Sequence, residues 1–361
     1  MLVKQKRNSA VQGLRGIAIV AIFLSHTGIN NVIPLGYWGV SIFFIISGFL
    51  MTHNYLNNDK SIESTFSFAW GKIKKLYPLH IITMLLSVRY ALYMNGDMAK
   101  TGFDIGIHTL LLQPWIPNKQ FYATLNTPSW YLSACFFLYL CFPIVYKLIK
   151  NHMTVKRGYI GLAMLFLIQI LLGVCAFLWS SDNSEWFSTK WIVYFFPPVR
   201  LIDFVQGCLV GYLYLQKKEQ LCLKIKKKVA YVLELIVCLL IGLTLFIITM
   251  DYEFLQLSAF KYTVIFVPTT ITLILLVFSG NGFLSKILSI KPLTKLGDIS
   301  PYVFLVHDVV LMYACLFFSL LLKVDKPLIV AIIAFVGTVI ASLIWSTINK
   351  YVTIKLSKLK K

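Results

Sequence analysis

The chain has 361 residues, of which 58% are hydrophobic and only 13% charged, and its mean hydropathy is +0.77. A soluble domain carries about a quarter charged residues, so the composition excludes an ordinary water-soluble enzyme and points to a polytopic membrane protein. The net charge of +20 would suit a nucleic-acid binder, but the positions of the charges argue against that reading.

The N-terminal MLVKQKRN runs into an apolar stretch with no small-residue cleavage site after it, which reads as an anchored first span and not a removed signal. Apolar runs of about 18 to 25 residues recur ten times, near 11–30, 36–55, 76–94, 128–148, 158–180, 197–216, 229–250, 262–279, 301–322 and 327–348. The expected fold is all-α, a polytopic membrane helical bundle of about ten transmembrane helices. With the N-terminus inside, the inner segments collect the Lys/Arg clusters at 4–7, 60–75, 147–157, 217–228, 286–295 and 350–361. The outer segments hold only Lys100, Lys119, Lys190, Lys261, Lys323 and Lys326. The positive-inside rule then places both termini in the cytosol and the chain in the plasma membrane as a multi-pass protein. It also accounts for the basic charge without nucleic acid, through a solvated inner face beside anionic membrane lipids.

The longest outer segment, 95–127, contains IGIHTLLLQPWI at 105–116. That patch is too short to span, so a short interfacial or re-entrant helix is expected on the outer side. No repeat and no low-complexity linker divides the chain, and residues 1–361 read as one membrane domain without an appended soluble one. The seven cysteines form no CxxC pair and all but Cys222 lie in apolar runs. They read as small core residues and not as a disulfide framework or a zinc site.

Polar residues inside apolar runs carry the functional signal. Arg15 and His26 share the first span; eleven residues are close to three helical turns, so both side chains lie on one face roughly 16 Å apart. Ionisable groups at membrane depth usually face a bundle interior or a wet cavity, although a snorkelling Arg beside a hydrogen-bonded His is the bland alternative. Span two carries SIFFIISGFL at 41–50, whose Ser47-Gly48 pair allows close approach of a helix or a thin ligand. It is not a GxSxG elbow, so Ser47 is not read as a nucleophile. FAWGKIKKLYPLH at 68–80 follows at the inner face; its Lys72 and Lys75 are three apart and serve either as a positive flank or as point charges for an anionic ligand.

Near the outer end of span four stand Trp130 and Tyr131, an interfacial belt or a sugar-stacking wall. Arg200 and Asp203, three apart in span six, are expected to pair on one helix face. Gly207 and Gly211 continue that helix as a small-xxx-small packing site. His53 and His80 are placed at inner helix ends, His108 and His152 outside the main spans, and His307 in the inner half of span nine, where a structural hydrogen bond is its expected role. No histidine pair has metal-ligand spacing and no phosphate-cradling glycine loop occurs, so no metal is expected.

Taken together, these segments resemble the integral-membrane acyltransferase-3 family, whose members O-acylate cell-surface sugars and related acceptors. The likeness rests on the Arg15–His26 spacing, FFIISGFL, the basic helix start ending in Tyr77-Pro78, TPSWYLSACFFLYLCFP at 127–143, PPVRLIDFVQGCLVGY at 197–212 and LGDISPYVFLVH at 296–307. The resemblance implies ten membrane helices, acetyl-coenzyme A as the usual cytosolic donor, an essential His matching His26 and an Arg matching Arg15. Two departures stand out. The family's inner-face Arg-x-x-Arg is here Lys72 and Lys75, and the Glu common in the family is here Cys135, which removes any acid role at that position.

The expected reaction is transfer of an acyl group, acetyl for most of the family, from cytosolic acyl-CoA to a hydroxyl of an envelope glycan or lipid-linked sugar. Arg15, Lys72 and Lys75 would hold the donor and His26 would act as general base, because imidazole's unperturbed pKa of about 6.5 lies near operating pH. An acyl-His intermediate is the mechanistic alternative. A transporter or flippase for a small anionic or lipid-linked solute is the competing class, and a non-catalytic membrane sensor that has kept the fold is a third. Acceptor identity, acyl group and oligomeric state leave no local signature.

Overall fold

The computed structural model describes residues 8–27, 35–95, 97–181, 183–224, 226–249, 260, 262, 264–322 and 326–359. The basic cluster at 4–7, the N-terminal anchor reading that rests on it, Lys261, Lys323 and the side chain of Cys222 lie outside the described residues. Among the described residues every regular element is helical, and one isolated antiparallel bridge joins Asn118 to Trp186.

The helices in chain order are α1 (Ser9–His26), α2 (Leu35–Asn57), α3 (Thr65–Ile73), α4 (Tyr77–Asn95), α5 (Met98–Thr109), α6 (Lys119–Tyr122) and α7 (Trp130–His152). They continue with α8 (Val155–Trp179), α9 (Pro197–Lys224), α10 (Lys227–Thr249), α11 (Val267–Ser279), α12 (Phe283–Leu288), α13 (Lys291–Leu316) and α14 (Pro327–Leu359). α1 starts where Asn8 caps it, the side-chain oxygen accepting the Val11 N–H at 3.2 Å, which satisfies one of the orphan donors of a first turn. Seven of the described helices (α1, α2, α7, α8, α10, α13 and α14) are long and apolar enough to cross a membrane.

Three predicted spans fall short of that measure. α4 and α9 have the length, 19 and 28 residues, but α4 carries His80 and Arg89, while α9 opens on Arg200 and Asp203 and runs into lysines. α11 has only 13 residues. A helix that satisfies its polar groups against neighbours needs less apolar surface than one that faces lipid, and α9 does this with a buried ion pair.

α2 occupies the centre. Phe43, Phe44, Ile45, Ile46 and Phe49 are all buried on it, the pattern of a helix surrounded on every side. Two seams hold it and α1 in place. Where α2 crosses α9, a Cβ on Gly48 would run into the Phe204 carbonyl, and one on Gly207 into the Ile45 carbonyl. Glycine on both helices lets the two backbones touch. The same device joins α1 to α13, with Gly16 against the Leu293 carbonyl and Gly297 against that of Gln12. α8, α10 and α14 turn outward faces of leucine and isoleucine to the surroundings, among them Leu167, Leu239 and Ile344.

Two expectations about depth are corrected. The segment after α4 doubles back along it: the Tyr77 hydroxyl donates to the Thr109 carbonyl at 2.8 Å, and His80 Nε2 donates to the His108 carbonyl at 2.9 Å. Leu111 packs with Ile73 and Leu132. His80 and His108, expected apart, are therefore neighbours, because α5 folds back along α4. Further along, α13 begins at Lys291 and not near 301. That early start carries His307 past the inner half of the helix and up to the level of the C-terminal end of α1, where its ring meets that of His26. Pro301 lies inside α13, and the Ser300 hydroxyl donates to the Gly297 carbonyl at 2.8 Å, the carbonyl that a proline at this position leaves without its helical N–H.

Candidate active site

Five helices enclose a pocket of about 590 Å³, its open mouth included. Arg15 enters it from α1, Phe43 and Ser47 from α2, Lys72 from α3, Tyr131, Cys135 and Tyr139 from α7, and Ser300 and Phe304 from α13. The α7 wall follows from helical geometry: residues four apart stack on one face, so Tyr131, Cys135 and Tyr139 form a polar stripe on an otherwise apolar helix. The Cys135 thiol lies beside both tyrosine hydroxyls, and Tyr139 also lies beside Ser47. Ser47 donates to the Phe43 carbonyl at 2.7 Å. The Arg15 guanidinium lies over the Phe43 ring, 5.7 Å from its centroid, and its charge reaches Tyr131, Cys135 and Tyr139.

The second cation arrives from the short helix α3. Lys72 Nζ sits over the rings of Phe68 and Tyr55, at 5.1 and 5.6 Å. Desolvation at the pocket wall, and secondarily the charge of Lys60, hold the Lys72 ammonium below the ordinary lysine range. An anion bound beside it would oppose this shift by favouring the charged form. Lys75 is not brought to the pocket. It is exposed in the turn between α3 and α4, where its carbonyl accepts from Asn349 at 3.3 Å.

His26 ends α1 and is solvent-exposed. Its Nδ1–H donates to the Ile22 carbonyl at 2.8 Å; since a carbonyl only accepts, Nε2 is left with the lone pair. The His307 ring lies 4.8 Å away, centroid to centroid and edge-on. Between this pair and the Arg15 pocket stands Phe304. Its ring is 5.9 Å from His307, 4.6 Å from Tyr131 and 6.4 Å from Phe43. The two polar residues on one face of α1 thus sit on either side of a single aromatic partition.

The other expected site residues fall elsewhere. Arg200 and Asp203 form the anticipated pair, NH1 to Oδ2 at 2.5 Å, with both side chains at 0% exposure. Arg200 also donates to the carbonyls of Tyr194 and Val193, and Asp203 accepts from Gln169 at 2.6 Å. The pair is closed on itself and braces α9 against α8, with no face toward the pocket. Trp130 is 4% exposed and packed among Phe44, Tyr194 and Phe195, so it is core, while its neighbour Tyr131 is pocket wall. Ser47 and Gly48 part in the same way, one facing the pocket and one the α9 seam. Sequence reading missed Tyr139, Ser300 and Phe304; the four-residue spacing along α7 was the signal that could have found the first.

The family profile described as an acyltransferase domain matches residues 8–347. The chain belongs to the acyltransferase-3 family. It is similar to acyltransferase MdmB of Streptomyces mycarofaciens, 29% identical over 57% of this chain and 57% of that one. Peptidoglycan O-acetyltransferase OatA of Listeria monocytogenes is 22% identical over 82% of this chain and 48% of its own length. O-acetyltransferase OatA of Staphylococcus aureus is 24% identical over 84% and 50%. The chain spans about half the length of these curated relatives. No solved structure matches. Family membership and the seven long apolar helices among the described residues support a membrane protein.

Proposed function

We propose that this protein moves an acyl group, acetyl in the first instance, from cytosolic acyl-CoA to a hydroxyl of an envelope glycan or lipid-linked sugar on the outer side. The observation that carries the reading is the convergence of Arg15 and Lys72 on one aromatic-walled pocket, with the His26 base beyond Phe304 on the same α1 helix. Two cations suit the coenzyme's phosphates, and an apolar wall suits its thin arm. The basic inner segments, together with the level of Lys72 near Lys60, favour a cytosolic donor and cytosolic termini in the plasma membrane. Residues 1–361 act as one membrane domain. The name of the Listeria monocytogenes relative, a peptidoglycan O-acetyltransferase, favours peptidoglycan as the first acceptor to try.

In the transfer step the acceptor O–H gives its proton to His26 Nε2 as the oxygen attacks the thioester carbonyl. The C–O bond forms, the C–S bond breaks, and the proton passes from His26 to the departing coenzyme sulfur. Atoms and charge balance with no redox partner. Arg15 lies on the donor side, where it holds phosphate charge or carries the carbonyl oxygen as that becomes negative. The test uses purified protein in proteoliposomes, acetyl-CoA labelled in the acetyl group, and peptidoglycan fragments on the opposite side. Label on the glycan that depends on His26 supports the proposal; transfer undiminished in folded His26→Ala overturns it.

A further inference from the structure

His307 is left over by that mechanism, and its surroundings are unusual. The residue is 0% exposed. Its Nδ1–H donates to the carbonyls of Phe304 at 2.9 Å and Val303 at 3.2 Å. That fixes the tautomer and leaves Nε2 with a lone pair, yet Nε2 has no hydrogen-bond partner. A buried acceptor without a donor is costly, and most buried polar atoms avoid it. The one other imidazole in contact is His26, 4.8 Å away between ring centroids, also held through Nδ1 by a carbonyl. Phe23 and Phe304 cover the remaining sides of the His307 ring. The Asp308 carboxylate lies within electrostatic reach of His26.

We infer that His307 is a positioning residue for His26: its free lone pair steadies the imidazolium formed when His26 takes the acceptor's proton. The inference rests on His26 being the general base. His307 neither gains nor loses a proton over the cycle. The proton leaves the hydroxyl, resides on His26 Nε2 and departs on the coenzyme sulfur, while the orphan Nε2 of His307 receives its missing positive neighbour only in the transition state. An interaction made there and not in the ground state raises kcat without tightening substrate.

The experiment is a double-mutant cycle on the full chain in proteoliposomes, following coenzyme A thiol release from acetyl-CoA with peptidoglycan fragments as acceptor. His307→Phe, which keeps the ring and removes the lone pair, is expected to lower kcat roughly 10- to 100-fold at unchanged acetyl-CoA KM. His307→Gln, which restores an acceptor, should recover most of that loss. Adding His307→Phe to His26→Ala should cost nothing more, because the two act as a unit. Full kcat in His307→Phe, or losses that multiply in the double variant, would overturn the inference. A dead His26→Ala beside a fully active His307→Phe leaves the base reading intact and removes only the pairing; an active His26→Ala removes both. If His307→Phe does not fold by thermal melting, His307→Met takes its place in the cycle.

Discussion

The α2–α9 seam and the α1–α7–α13 pocket lie on two sides of the same central helix and treat charge in opposite ways. At the seam, Arg200 spends its donors on Asp203 and two backbone carbonyls, both partners are fully buried, and glycines press the helices together. At the pocket, Arg15 and the more exposed Lys72 share an open-mouthed space with hydroxyls, a thiol and aromatic rings, and the adjoining His307 keeps an unmatched Nε2. A polar network that is complete stiffens a fold, whereas a buried acceptor without a donor, as at His307 Nε2, is costly. The contrast separates charges sealed into helix packing from charges that face a pocket, a distinction residue type alone does not make.

The sharpest way to break this comparison is to remove one charge from each side. On the pocket side, His26→Ala is expected to lower kcat by roughly 10²- to 10⁴-fold with an unchanged melting temperature in detergent. On the seam side, Arg200→Ala leaves Asp203 buried without its partner and should cost about 3–5 kcal/mol of stability, read as a lower melting temperature. The molecules that stay folded should keep their turnover. A seam variant that folds normally but loses turnover would place Arg200 in the site after all.

Lys72 gives the next effect. Lys72→Ala should raise the acyl-CoA KM roughly tenfold, the worth of one hydrogen bond to a charged group, while Lys75→Ala leaves it nearly unchanged. Because the Lys72 ammonium is held below the ordinary lysine range, it loses its proton earlier as pH rises. Donor KM should therefore climb on the alkaline side, and Lys72→Arg should flatten that climb, since guanidinium stays charged.

The smallest effect is at α5, the helix that folds back along α4. Burial, helped by the nearby His80, pushes His108 down to about 3. The unfolded chain takes up this proton near pH 6.5 and the folded one does not, so stability is full above that pH and is lost as pH falls toward 3. Melting temperature against pH should show this slope, and His108→Asn should reduce it.

Much of this organisation was legible in the sequence, for reasons that can be named. Arg15 and His26 share a helix face because eleven residues close three turns, and Gly48, Gly207 and Gly211 announced close packing. The Arg200–Asp203 pair follows from its three-residue spacing. His307 was misplaced because Lys295, Asp298 and Ser300 look like loop, yet they form the first turns of α13. Lys72 and Lys75 could not be told apart, since α3 ends between them at Ile73, and a helix end changes direction in ways that spacing does not encode. α4 and α9 were taken for spans by length, although polar residues satisfied by neighbours reduce their apolarity.

Pro301 gives α13 a meaning beyond support. The turn that brings Ser300 to the pocket wall and the turn that holds Phe304 and His307 beside His26 belong to one rod, and proline removes a backbone rung at their junction. Bending is easiest at such a point. In the proposed reaction, a tilt of the C-terminal part of α13 would carry the Phe304 partition and the buried His307 imidazole together, so passage of the acyl group and alignment of His26 would be one movement.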